Sequence, residues 1–163
     1  MLETLRKRLG RDEEEGFTLI ELMVVVLIIA ILIAIAIPTF LGARQRAQDR
    51  QAQSNLRNAF AAEKVIYTDD QAYTSGGATG AAALKSVEPS LNYYDDASIS
   101  AAANNSPKDI FVTVDSAGAV ILGAKSKSGK CFYMKDTAAA PTTFGSSSTC
   151  GSPSTATVTG TEW

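Results

Sequence analysis

An uninterrupted apolar run near the N-terminus limits what this 163-residue chain can fold into. From Leu22 to Ile37 the sequence contains no polar side chain. With its flanks, the segment 17–41 would form a helix of roughly 37 Å, which is longer than the ~30 Å hydrocarbon core of a bilayer. A helix that is apolar on every side needs full enclosure, and the remaining residues are too few and too polar to supply it. The run therefore predicts residence in a membrane.

Two features distinguish this segment from an ordinary transmembrane anchor. Glu21 places a charge within the segment, and on insertion scales a charge at the bilayer centre costs about 2.5 to 3.5 kcal/mol. We therefore expect Glu21 to have a partner. The boundary before the segment is also abrupt, because four acidic residues at positions 12–15 and Gly16 are followed directly by Phe17.

The residues around this boundary, EGFTLIE from Glu15 to Glu21, resemble the type III signal sequence of type IV prepilins. The shared pattern is a charged leader ending in Gly, then Phe, a Glu four positions later and a long apolar run. The resemblance covers the first quarter of the chain strongly. It implies cleavage between Gly16 and Phe17 by a prepilin peptidase, followed by N-methylation of Phe17. It also implies that Glu21 engages the amine of a neighbouring subunit during assembly.

Cleavage after Gly16 would have a physical purpose. It would create an α-amino group on Phe17, with a reference pKa of about 7.7 to 8.0, one helical turn from Glu21. The new cation would then lie beside the carboxylate that needs a partner.

A Sec signal peptide is the alternative interpretation of the same segment. Residues 6–11 would be its basic n-region, 22–33 its apolar h-region and 34–36 its small-residue cleavage site. Glu21 interrupts this core, and the acidic cluster interrupts the basic flank. The two interpretations predict different mature N-termini, Phe17 for the prepilin and Ile37 for the Sec substrate.

The helical pattern continues beyond the apolar run. Good helix formers dominate residues 43–70, and a mostly apolar stripe recurs at spacings of three or four. Its members are Ala52, Leu56, Ala59, Phe60, Glu63, Ile66 and Tyr67. We expect one helix from Phe17 to about Tyr67, with 17–41 as its membrane or filament-core half and 42–70 as its amphipathic half. Pro38 and Gly42 are the predicted kink positions, since proline removes a helical hydrogen-bond donor.

Residues 71–163 are expected to form a small head after a cleaved leader at 1–16 and the long helix. An irregular connection is predicted at 71–108, antiparallel strands at about 109–136, and a Ser/Thr-rich surface tail. Export would favour a disulfide between Cys131 and Cys150, and the resemblance also implies such a closed C-terminal loop at 131–150. The expected fold class is α+β, the pilin fold, in which one long helix packs on a small antiparallel sheet.

Composition argues against several kinds of function. The chain has no histidine and no Ser/His/Asp or Cys/His set, so it is not expected to be an enzyme. No cofactor and no metal site are predicted. The formal net charge of −2 does not favour nucleic acid as an obligatory partner.

The resemblance implies a structural subunit of a type IV pilus that polymerises through its apolar helix. Its implied partners are other copies of the chain, the prepilin peptidase, and an assembly machinery with a separate ATPase. The precursor would be a single-pass protein of the inner, or cytoplasmic, membrane, and the product an extracellular pilus on the cell surface.

Several alternatives stay open at this point. Within the family, the chain could be a major pilin, a minor pilin or a type II secretion pseudopilin. A pilus could serve adhesion, motility or DNA uptake. Outside the family, the rivals are a membrane-anchored surface protein that never polymerises and a Sec-exported protein.

Overall fold

The computed structural model describes residues 16–95, 106–155 and 158–163. It divides into two compact units, one ending at Leu41 and the other spanning Gly42–Trp163. Helix α1 spans Leu19–Asp70 and contributes residues to both units. Of the predicted leader 1–16, all but Gly16 lies outside the described residues.

The described part of the first unit is dominated by the apolar portion of α1. Every residue from Gly16 to Leu41 is exposed. The helix is long and apolar enough to cross a membrane, and none of its most apolar stretch is buried against the rest of the chain. Pro38 lies inside α1 and does not end it. The kink at Pro38 and Gly42 stays a prediction.

The second unit is an α+β head in which the amphipathic part of α1 packs on a five-stranded sheet. Its further elements are α2 (Ala78–Val87), β1 (Asn92–Tyr94), β2 (Asp109–Val114), β3 (Val120–Lys125), β4 (Cys131–Thr137), β5 (Ala140–Ser147) and a 3₁₀ turn (Pro153–Thr155). The strands lie in sequence order across the sheet. All pairs are antiparallel except β1 with β2, which is parallel. The predicted α+β fold is confirmed.

The sheet is buried on both faces. Alternate residues of a strand point to opposite sides, and in β2, β3 and β4 consecutive residues are buried. The side chains on one face of the sheet pack with Ala52, Leu56 and Ala59 of the predicted stripe on α1. These sheet residues are Ile110, Val112, Val120, Leu122, Ala124, Phe132 and Met134. The residues between them form a second cluster, consisting of Phe111, Ile121, Cys131 and Tyr133 with Val158 and Cys150. The C-terminal segment therefore covers the face that α1 leaves open.

Polar contacts also hold α1 to the sheet. Lys64 Nζ lies 2.6 Å from Asp136 Oδ2 on β4, and the hydroxyls of Tyr73 and Thr142 donate to the same carboxylate. Burial alone would raise the pKa of Asp136, but the hydrogen bonds from Lys64 and the two hydroxyls outweigh it and hold the pKa below its usual value. Asn55 Nδ2 donates to the Pro107 carbonyl at 2.6 Å.

The predicted irregular connection at 71–108 is partly wrong. Its described part contains α2 and β1, while residues 96–105 lie outside the described residues. Two of the three glycines there serve close packing: a Cβ at Gly80 would lie 1.9 Å from the Ser75 carbonyl oxygen, and one at Gly76 would lie 1.9 Å from that of Tyr94. At these two positions glycine allows close backbone contacts.

The predicted surface tail after Thr137 is also partly wrong. Residues Ala140–Ser147 form β5, which extends the sheet through pairing with β4. The chain then passes over the second face, and Gly160 forms an antiparallel bridge with Phe144. Trp163 packs edge-on against Phe132 and Phe144, and its indole N–H donates to the Tyr133 carbonyl at 2.9 Å.

The disulfide between Cys131 and Cys150 is present in the structure. It joins the first residue of β4 to the segment after β5, so it fixes the C-terminal segment against the second cluster.

Loss of the disulfide should destabilise the head. By the chain-entropy estimate, a closed loop of this size is worth about 3 kcal/mol. The double variant Cys131→Ala/Cys150→Ala should lose about that much free energy of unfolding, measured on the full chain in detergent by denaturant titration of Trp163 fluorescence. A reducing agent should destabilise the parent and leave the double variant unchanged. Equal stability of parent and variant would contradict this account.

Glu63 is a carboxyl group placed inside the head core. It is fully buried. One oxygen, Oε2, accepts a hydrogen bond from the Thr74 backbone N–H at 3.2 Å, and Oε1 has no hydrogen-bond partner within the described residues. Burial raises its pKa from 4.5 to about 7, an effect that the Thr74 hydrogen bond reduces.

Stability of the head should therefore fall as pH rises from about 4.5 to 7. In that window the folded state holds a proton on Glu63 that the unfolded state has released, so folding binds a proton. The cost, about 3 kcal/mol, is fully present above pH 7. Glu63→Gln should flatten this slope and stabilise the head at pH 8, measured by Trp163 fluorescence in denaturant across pH. Glu63→Met should flatten it too, and a slope unchanged in both variants would exclude Glu63 as its source.

Candidate functional site

The start of α1 is held by three reciprocal hydrogen bonds between Thr18 and Glu21. The Glu21 carboxylate oxygen Oε2 accepts from the Thr18 backbone N–H at 2.9 Å and from the Thr18 hydroxyl at 2.6 Å. The Glu21 backbone N–H donates to the Thr18 hydroxyl oxygen at 3.3 Å. Since α1 begins at Leu19, Thr18 is the N-cap residue and Glu21 is the third residue of the helix. This is a capping box.

The capping box gives Glu21 a structural role that the sequence interpretation overlooked. The signal was available, because Ser or Thr followed three residues later by Glu or Gln before an apolar run is the signature of this motif. Thr18 is the residue that was missed. Only Oε2 of the carboxylate is used by Thr18, and the side chain of Glu21 is exposed. The other oxygen can accept a further donor.

The predicted junction lies immediately before this cap. Gly16 and Phe17 precede the helix, and Phe17 is 88% exposed. Glu21 already reaches the N–H of Thr18, the residue next to Phe17. An amine on Phe17 would lie one residue closer to the N-terminus, within about 4 Å of the Thr18 nitrogen. Glu21 therefore contacts the residue next to the predicted cleavage position, and its pairing with an amine on Phe17 stays a prediction.

The apolar surface behind the cap is corrugated. Two shallow grooves open between its side chains, one lined by Leu22, Met23, Val26, Leu27 and Ala30, the other by Ile33, Ala36, Ile37, Phe40 and Leu41. Small residues, Ala30 and Ala36, leave room between larger neighbours. Ridges and grooves of this kind are what helices use to interdigitate when they pack.

The polar side chain near the end of the apolar segment is satisfied within the helix. Thr39 Oγ1 donates to the Ala36 carbonyl at 2.8 Å and approaches that of Ile35 at 3.2 Å. This matters in hydrocarbon, where a polar group without a hydrogen-bond partner is costly. Gly42 has no steric reason to be glycine, since an added Cβ would meet only Arg46 Nη1 at 3.5 Å. Cys131 and Cys150 belong to the second unit.

Comparison with known proteins agrees with this geometry. Residues 12–37 match the family described as the prokaryotic N-terminal methylation motif. The chain is 39% identical over 92 residues to the type IV wide pilus major component PilA4 of Thermus thermophilus, a match that covers 56% of this chain and 68% of that protein. No solved structure matched the chain.

Two further relatives differ in how much of the chain they cover. The fimbrial protein EcpC of Eikenella corrodens is 34% identical over 135 residues, which is 78% of each chain. The type II secretion system core protein G of Klebsiella michiganensis is 30% identical over 86 residues, or 52% of this chain and 61% of that protein. With the capped apolar helix, the α+β head and these relatives, the chain belongs to the type IV pilin family.

Proposed function

We propose that the chain is made as a membrane precursor, cut between Gly16 and Phe17 by a prepilin peptidase, and methylated on Phe17. The processed subunit then polymerises through residues 17–41 into an extracellular type IV pilus. The match of residues 12–37 to the N-terminal methylation motif supports the processing steps. The position of the junction, directly outside the capping box, supports a cut that leaves the helix intact.

One observation carries the filament proposal: the apolar part of α1 is exposed on all sides. Leu22 and Ile35, for example, are 62% and 65% exposed. Burying apolar surface is worth roughly 25 cal/mol per Å², so this helix must be covered by something apolar. Lipid covers it before assembly, and the apolar helices of other copies cover it afterwards. A repeated contact whose rotation does not close builds a helical filament.

Glu21 has two roles in this proposal. Its Oε2 caps α1, as the hydrogen bonds to Thr18 support, and its free oxygen accepts the Phe17 amine created by cleavage. Before assembly, the amine of the same chain is within reach and offsets the cost of a carboxylate at the membrane. During assembly, the amine of a neighbouring subunit takes that place. The ion pair then fixes the axial position of the incoming helix.

The names of the relatives support a structural rather than an enzymatic role. They are components of pili, fimbriae and secretion systems. We accordingly place the precursor in the cytoplasmic membrane as a single-pass protein, with copies of itself, a prepilin peptidase and an assembly machinery with its own ATPase as partners. The mature protein would lie in a surface pilus.

A type II secretion pseudopilin is the second candidate. It rests on the similarity to the core protein G of a secretion system. The pilus is favoured because the fimbrial relative matches a larger share of both chains, including much of the head. Both candidates share the processing steps and the exposed apolar helix.

The proposed cleavage predicts the N-terminus of the mature protein. Mass spectrometry of surface filaments should find N-methylated Phe17 as the first residue. Gly16→Ala tests the junction without touching the helix, and we expect it to slow cleavage, visible as precursor on an immunoblot. A mature protein that starts at Ile37 would instead support the Sec interpretation.

Substitutions at the N-terminal cap can separate the two roles of Glu21. Glu21→Gln keeps a side chain that can complete a capping box but removes the charge, and we expect few or no filaments by electron microscopy. Thr18→Val removes the capping hydroxyl and keeps the charge, so it should destabilise the helix start by about 1 kcal/mol and still give filaments. Wild-type filament numbers in Glu21→Gln would rule out the ion pair with the amine.

A further inference from the structure

The helix carries three arginines immediately after its apolar segment. Arg44, Arg46 and Arg50 are exposed, and within the described residues none of their side chains has an ion-pair or hydrogen-bond partner. The next arginine, Arg57, differs because its guanidinium stacks on the Trp163 ring, 4.8 Å from the centroid. We call Arg44, Arg46 and Arg50 the arginine collar.

The acidic residue nearest in sequence to the arginine collar makes its contacts with the head. Asp49 is the only acidic residue between positions 42 and 62. Its carboxylate accepts a hydrogen bond from the Ser128 hydroxyl in the turn before β4 and lies 4.0 Å from Lys130 Nζ. The collar therefore presents three positive charges that no described residue of the head neutralises.

The distribution of the arginines around the helix indicates the shape of the partner. At 100° per residue, Arg46 and Arg50 lie about 40° apart, whereas Arg44 lies about 160° from Arg46. A single neighbouring protein helix would contact only one face of α1 and could not pair with arginines on opposite sides. A layer of lipid headgroups surrounds a membrane-inserted helix and can satisfy cations on opposite sides.

The position of Arg44, the first residue of the collar, fits the same partner. Arg44 follows Leu41, the last residue of the apolar segment, by three positions, so its Cα lies within about 11 Å of that end in any conformation. Arg50 lies about 9 Å further along the helix, so its side chain must extend back toward the headgroups. The headgroup layer is about 5 to 8 Å thick on each side of the hydrocarbon core. Arginine side chains extend along apolar surface to reach polar surroundings, and the planar guanidinium binds phosphate through paired hydrogen bonds.

We propose that the arginine collar binds the phosphates of anionic phospholipids in the outer leaflet and sets the depth of the unassembled subunit in the membrane. This inference rests on the membrane residence in the proposed function. From Glu21 to Leu41 the helix rises about 30 Å, which equals the hydrocarbon thickness. A collar that holds Leu41 at the outer boundary of the core places Glu21 at the inner boundary, near the headgroups, rather than at the costly centre.

The test is the lipid selectivity of the full chain in vesicles of phosphatidylcholine and phosphatidylglycerol. Electron spin resonance with a spin-labelled version of each lipid measures which lipid is enriched in the motionally restricted shell around the protein. The parent should favour phosphatidylglycerol by about fivefold at low salt, the scale of one arginine at an anionic surface. Screening predicts that the preference falls when salt is raised from 0.15 to about 1 M, where the Debye length drops from about 8 to 3 Å.

Matched variants assign the preference to the collar. Arg44→Gln/Arg46→Gln/Arg50→Gln should lose most of it, and the corresponding triple lysine variant should keep most of it because the charge remains. Arg57→Gln, on the same helix, should behave as the parent. The basic residues before Gly16 are identical in all variants. Any preference for phosphatidylglycerol that remains in the triple glutamine variant is therefore assigned to them.

The outcomes separate this inference from the proposal on which it rests. If the triple glutamine variant keeps the parental preference, the collar does not bind lipid. If it keeps that preference and fails to form filaments in cells, the arginines contact a second copy of the chain, and the lipid proposal is wrong. If no restricted lipid is found with the parent, the proposed membrane residence fails, and this inference fails with it.

Discussion

The structure depends on an apolar helical surface that the chain cannot cover by itself. Residues 17–41 are exposed on every side, and the head keeps its own apolar residues in two clusters that face α1 and the C-terminal segment. Nothing in the described head offers a further apolar surface of comparable size. In the function proposed above, lipid or the apolar helices of other subunits cover this surface, and both exclude water.

That constraint explains how polar groups are treated along the first unit. Thr18 and Glu21 satisfy one another at the helix start, and the Thr39 hydroxyl donates to backbone carbonyls near the other end. In water these hydrogen bonds would contribute little, because solvent competes for the same groups. In hydrocarbon they remove a cost of several kcal/mol per unpaired group. The pattern suits a helix that passes between lipid and a packed filament interior.

In the head, several kinds of contact hold a short sheet against one helix. Two apolar layers, the Lys64–Asp136 ion pair and the disulfide all join segments that are distant in sequence. Glu63 opposes this arrangement, since it places an ionisable group with a pKa of about 7 in the core. The head therefore combines strong long-range contacts with one internal source of pH sensitivity.

The sequence predicted the elements whose buried side chains recur at a fixed spacing. It did not predict the elements that depend on backbone contacts. The stripe from Ala52 to Tyr67 and the strands between residues 109 and 136 were predictable, because buried positions recur at fixed spacing. β5 was not, since Ala140–Ser147 is polar and joins the sheet through backbone pairing at its edge. α2 was missed because residues 71–108 are rich in Ala, Gly and Ser and show no sustained apolar period; Gly76 and Gly80 permit close backbone approach there.

The candidate site shows the same division. The junction and the assembly role of Glu21 were predicted from a local motif, and the capping box could have been predicted from the spacing of Thr18 and Glu21. The raised pKa of Glu63 could not be predicted from the sequence, because it depends on Thr74 and on the sheet that covers the helix.

The packing of Trp163 has a practical consequence for labelling. Trp163 is held by Phe132, Phe144, Arg57 and the Tyr133 carbonyl, so a label attached beside it would disturb these aromatic contacts. The turn between β2 and β3 is the better site for an inserted epitope or fluorophore. Residues 116–118 are exposed there, and no atom outside the turn crowds Gly118; Gly118 itself should be kept, because its φ of 78° favours glycine.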